Sequence, residues 1–135
     1  MDRRALFALA PAAVGLLTLV AAPARASSGG GAATTSSYVR MATVTATTVR
    51  AGGRRGVMTV ETGIDVPDAE LRAHAEQAAP RLRAAYNAVV QRTASALLPG
   101  AVPDVDRLSR ELQAATRATL GRRGATLLLG TVMVV

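Results

Sequence analysis

Residues 38–64 read YVRMATVTATTVRAGGRRGVMTVETGI, and the fold turns on how this stretch is read. Tyr38 to Arg50 is dense in Val and Thr, whose branched side chains suit a pleated surface. Ala42, Val44 and Ala46 recur at alternate positions and share one face. Val39 and Met41 fall on the other, as in a strand partly covered on both sides. Ala51-Gly52-Gly53-Arg54-Arg55-Gly56 is a turn in which glycine can take positive φ. Val57 to Ile64 alternates again, with Met58, Val60, Thr62 and Ile64 on one face and Val57, Thr59, Glu61 and Gly63 on the other. Two alternating runs joined by a glycine turn predict an antiparallel hairpin over Tyr38–Ile64.

Downstream the period changes. Asp65-Val66-Pro67-Asp68 predicts a helix start, with proline in the first turn and aspartate accepting its free N–H groups. Leu71, Ala75, Ala78, Leu82, Tyr86, Val89 or Val90, and Leu97 then form one helical stripe. Pro80 kinks this segment or splits it in two. Pro99-Gly100-Ala101-Val102-Pro103 is a second break. Asp104 opens another helix with Asp106 in its first turn, its inner face marked by Leu108, Leu112, Ala115 and Thr119. Leu120 closes that helix and Gly121 supplies its C-cap. Ala125 to Val135 reads ATLLLGTVMVV; uncharged and nearly all apolar, it predicts a central strand. The expected class is α+β: an antiparallel hairpin plus a C-terminal strand forming a small sheet, with two to three helices on one face. Leu82, Val89 and Leu112 are expected in its core. So small a sheet keeps edges that self-association or a partner would cover.

Upstream lies a targeting segment. Asp2-Arg3-Arg4 precedes twenty uncharged residues, Ala5 to Ala24, and Ala24-Arg25-Ala26 fits the small-x-small pattern of a cleavage site. Residues 1–26 are read as a signal peptide or, alternatively, an N-terminal membrane anchor, since twenty residues are long enough to span. Arg3-Arg4-Ala5-Leu6-Phe7 resembles a twin-arginine export signal. Both readings place the rest of the chain outside the cytoplasm: periplasmic or secreted after cleavage, held at the inner membrane without it. Residues 27–37, SSGGGAATTSS, are a flexible Ser/Gly/Thr linker with nothing large to bury. Residues 38–135 are a single α+β domain.

Composition narrows the chemistry. The 135 residues include no cysteine, one histidine, no tryptophan and three other aromatics. Disulfide frameworks, thiolate metal sites and cysteine catalysis are excluded, and base-stacking platforms have almost no rings to use. Every basic residue other than His74 is arginine, and the formal charge is +7. After cleavage at Ala26, thirteen arginines and eight acidic residues leave +5, spread along the chain. The adjacent pairs Arg54-Arg55 and Arg122-Arg123 sit in glycine turns and are the candidate interaction surface. His74 has no second histidine or HExxH pattern beside it, so it reads as a packed or surface residue. Asp65 and Asp68, like Asp104 and Asp106, read as helix-start residues rather than acid pairs. No serine lies in GxSxG, and the GGRRG turn lacks the Lys and Ser/Thr of a phosphate loop. No catalytic residue, metal site or cofactor is expected.

The order of these elements resembles the extracytoplasmic domain of the flagellar basal-body-associated FliL family. Tyr38-Val39-Arg40 opens a strand, and Val57-Met58-Thr59-Val60-Glu61-Thr62 returns as the next. Ala79-Pro80-Arg81-Leu82-Arg83-Ala84-Ala85-Tyr86 is similar to the family's proline-led helix. Asp106-Arg107-Leu108 with Glu111-Leu112 is similar to its later helix, and Leu127 to Val135 to its terminal hydrophobic strand. The resemblance implies a stomatin/prohibitin-like fold and a structural, non-enzymatic role in the bacterial envelope, beside the flagellar stator. An envelope protein partner or self-association is expected, with contact to the inner membrane or another anionic surface, and no nucleic acid. The alternative is a small secreted binding module for anionic lipid or a cell-envelope polymer.

Overall fold

A computed structural model describes residues 36–135. The segment 1–26, its cleavage or retention, and most of the 27–37 linker lie outside the described residues. The fold is α+β, a four-stranded antiparallel sheet with three helices.

The Val/Thr run forms two strands rather than one: β1 (Tyr38–Arg40) and β2 (Val44–Val49). The returning run is β3 (Arg55–Asp65), and it pairs with every other strand. Gly52 and Gly53, at φ of 88° and 77°, make the turn between β2 and β3 in the left-handed region open to glycine. β1 and β2 lie end to end along one side of β3, with Arg40 opposite Gly63 and Val44 opposite Val60. Met41 N–H donates to Thr62 O, so Ala42 and Thr43 together face Glu61. This is a β-bulge, and it reverses the side-chain phase. The expectation that Ala42 shares a face with Val44 and Ala46 is therefore corrected. Val39, Met41, Val44 and Ala46 are buried on the same side, and Ala42 is exposed.

The last strand, β4 (Thr126–Val134), also bulges opposite Glu61: Leu129 faces Thr62, Val132 faces Val60, and Gly130 and Thr131 share the residue between. A Cβ at Gly130 would stand 3.3 Å from Glu61 Cβ, so glycine suits the close approach. β4 pairs with β3 alone and forms the sheet's other edge. The central strand is β3, not the terminal run. β3 closes the hairpin and is long enough to pair on both sides, while β4 meets a neighbour on one side only.

The helices are α1 (Ala69–Gln77), α2 (Ala79–Ala96) and α3 (Val105–Leu120). Pro80 splits the helical stripe at Ala78 and sits in the first turn of α2, where its missing N–H costs nothing. Asp68 and Asp104 cap α1 and α3, accepting from Leu71 N–H at 2.7 Å and Arg107 N–H at 3.0 Å. Asp65 is not part of a cap: it ends β3, opposite Tyr38 and Thr126. Gly121, at φ 67°, ends α3 in the left-handed conformation.

The core lies between the helices and the sheet face carrying Met58, Val60 and Ile64, all fully buried. Leu82, Val89 and Leu112 are in it, as expected. Leu97 falls just past α2 and is only half-buried. On α3 the innermost polar residue is Thr116; Thr119 is half-buried. Thr116 Oγ1 donates to Leu112 O at 2.9 Å, leaving a lone pair for the Tyr86 hydroxyl at 2.6 Å. Burial raises the Tyr86 phenol above its ordinary pKa by disfavouring the phenolate.

Candidate interaction surface

β4 is nine residues long, TLLLGTVMV, without a charge and apolar except for Thr126, Gly130 and Thr131. Strand alternation divides its side chains. Leu127, Leu129 and Val132 turn toward the helices, and Leu127 is buried. On the open face Leu128 and Met133 are 44% and 48% exposed, and Val135 beyond the strand is 49% exposed. These side chains project from the sheet face turned away from the helices.

The backbone of that outer side can be placed by hydrogen bonding. Val57 and Val135 exchange both N–H···O bonds, at 2.8 and 2.9 Å, so Val135 faces β3. Alternation then turns the N–H and C=O groups of Val134 and Val132 outward. At the start of the strand, Gln113 of α3 covers the edge: its Oε1 accepts from Leu127 N–H at 2.7 Å and its Nε2 donates to Ala125 O at 3.0 Å. From Leu129 to Val134 no side chain among the described residues takes that place. The opposite edge differs. β2 presents threonines at its surface, and Gln91 of α2 reaches Thr45 O at 3.4 Å. Natural sheets guard edges with charge, proline, bulges or cover. β4 has its bulge and the Gln113 cover at one end, and no charge or proline.

The four arginines read from the sequence are exposed but do not form one surface. Arg54 and Arg55 lie in the β2–β3 turn and the first residue of β3, beside the end of β4. Arg122 and Arg123 lie before the start of β4, at the other end of the sheet, about 30 Å away by strand rise. Arg122 comes within 3.9 Å of Glu70, an exposed pair of little energetic weight. His74 is half-buried on α1, and its carbonyl accepts from Ala78 N–H. Among the described residues no three His, Cys, Asp or Glu side chains gather where they could hold a metal ion. No described helix is long and apolar enough to cross a membrane.

Two concave places stand out. A cleft of about 310 Å³ between α2 and α3 holds Asp104, Arg107 and Glu111. There the Glu111 carboxylate, 2.8 Å from Arg107 Nε, raises the guanidinium pKa further. A larger groove of about 660 Å³ opens between the β2–β3 turn, the α2–α3 loop and the end of β4. The sequence pattern did not single out this groove. Its walls come from three segments distant along the chain, and Val102 sits in a Pro/Gly loop outside any periodic run.

Fold and surface together define an α+β domain with a long, uncharged and largely uncovered sheet edge. No protein-family model and no curated protein matches the chain.

Proposed function

We propose that this domain is a non-enzymatic accessory module of the bacterial envelope, FliL-like in role, which assembles by pairing β4 with β4 of a second copy. The observation that carries the reading is the β4 edge, uncharged and uncovered from Leu129 to Val134 among the described residues. An antiparallel pair around a twofold axis brings each strand against itself, so a charged strand would oppose like charges. β4 has none. Pairing would extend the sheet to a second copy and set the partner strand's side chains beside Leu128 and Met133.

The reading of residues 1–26 as an export signal supports a place in the periplasm or beyond, and the resemblance to the FliL family supports one near the flagellar basal body. The test is sedimentation velocity on the exported protein and on Leu128→Lys/Met133→Lys. Both positions are half-exposed in the single copy, so the fold tolerates them, while lysines along the edge oppose pairing. A dimer that the double substitution turns into a folded monomer supports the reading. A monomer at every concentration contradicts self-pairing, and capture of β4 by a strand of a different envelope protein would replace it.

A further inference from the structure

The groove of about 660 Å³ lies within the size range of small-ligand sites. Its lining is aliphatic apart from Arg50 and Arg54, and no acidic side chain contributes to it. The loop and the turn that form it are in contact. Gly100 N–H donates to Val49 O at 3.4 Å, and a Cβ at Gly100 would stand 3.2 Å from Ala51 Cβ. At the tip of the loop Leu98 and Val102 are 74% and 86% exposed, the two most exposed large apolar side chains among the described residues. Arg50 and Arg54, which line the groove, are exposed, and neither enters an ion pair among the described residues. Residues 97–103 carry no charge, and the only charged residues in 49–57 are Arg50, Arg54 and Arg55.

We propose that this end of the domain docks on an anionic bilayer. The aliphatic side chains of Leu98 and Val102 enter the interface, and Arg50 and Arg54 contact lipid phosphates. The charge complementarity is local: Arg50 and Arg54, in no ion pair among the described residues, line a groove beside the apolar tip, and no acidic side chain contributes to that groove. An apolar contact flanked by arginine gains both from burying aliphatic surface and from the negative potential of the leaflet. Arginine suits the outer position because its planar fork pairs with phosphate oxygens while its stem packs on apolar surface. The site does not rest on β4 pairing, since the loop and turn belong to one copy.

The test is flotation of the exported protein with vesicles of phosphatidylcholine alone or with phosphatidylglycerol, alongside sedimentation of each variant without lipid. Binding is expected to the anionic vesicles and to fall as salt rises. Arg50→Gln/Arg54→Gln should weaken it about 30-fold, taking about 1 kcal/mol for each arginine at an anionic surface. Leu98→Ser/Val102→Ser should weaken it about tenfold or more, and this loss should persist at high salt. Arg122→Gln/Arg123→Gln makes the same charge change at the opposite end and should leave binding as it was. Equal loss from the two arginine pairs would overturn the proposal in favour of unspecific charge attraction. Equal binding to neutral and anionic vesicles would overturn it as well. If Leu98→Ser/Val102→Ser lowers the molecular mass in solution and leaves vesicle binding intact, the tip contacts another copy and the proposal fails.

Discussion

Tyr86 and Thr116 form the one buried side-chain hydrogen bond between α2 and α3 among the described residues, and their partners make the two substitutions unequal. Thr116 Oγ1 spends its proton on Leu112 O, so the Tyr86 hydroxyl is the donor in the 2.6 Å contact. Tyr86→Phe removes that donor and leaves Thr116 bonded to Leu112 O, so the loss is one net hydrogen bond, about 1 kcal/mol. Thr116→Val preserves shape but leaves the phenol O–H buried without an acceptor, at a cost of about 1–3 kcal/mol. Removing both partners leaves no unpaired group, so the double variant should be more stable than Thr116→Val alone. A domain of this size shifts by about 4–8 °C per kcal/mol, so thermal and urea unfolding resolve the order.

The same tyrosine sets an alkaline limit. Its folded pKa is raised above the unfolded value, because burial disfavours the phenolate. Its contribution to stability is therefore fully present below about pH 10 and is lost as pH rises through the folded value. Tyr86→Phe should remove that part of the alkaline decline, so the gap between it and the parent narrows above about pH 10. If Thr116→Val costs no more than Tyr86→Phe, or if the two effects simply add, the assignment of donor and acceptor is wrong.

The core prediction is blunter: Leu82 is fully buried, and Leu82→Ala should cost about 2–5 kcal/mol in denaturant unfolding. A melting shift of only a few degrees would place Leu82 outside the core. Deleting residues 127–135 removes most of one side of β3 and uncovers Met58, Val60 and Ile64, so the product should be unfolded or aggregated by circular dichroism and light scattering. A monomeric truncation that unfolds cooperatively would contradict the pairing. Mass spectrometry of the native N-terminus should find Ser27 as the first residue in the soluble fraction. An intact terminus in the inner-membrane fraction would show an anchor.

Local chemistry carried most of the fold into the sequence. Asp68, Asp104 and Gly121 announce helix ends through their own backbone preferences, and Pro80 marks a break that the structure places at Ala78. Alternation identified both faces of β3, because that strand runs straight through its pairing. The β1–β2 bulge was hidden: an extra residue in one strand is defined by its partner's register, and the Ala42, Val44, Ala46 spacing looks regular without it. The place of β4 was misread for a related reason. An uncharged apolar run satisfies a central strand, and which strand has two neighbours depends on the hairpin's pairing. Thr116 escaped notice because a threonine inside an apolar stripe has no outward sign of a buried tyrosine thirty residues away. The arginine pairs stood out in the sequence, yet turns at opposite ends of a strand keep them apart. The groove beside Arg54 needed Val102 of the α2–α3 loop brought against Arg50 of the β2–β3 turn.

The absence of cysteine makes the β4 edge directly measurable, since any introduced thiol is the only one in the chain. Single cysteines placed in turn from Leu128 to Val134, with Thr47→Cys on β2 as a control, can be treated with a short thiol cross-linker at micromolar protein. Pairing of β4 with itself predicts covalent dimers across β4, strongest near the centre of the paired segment, and little product from the β2 control. Equal, low yields at every β4 position and on β2 would contradict assembly through this edge.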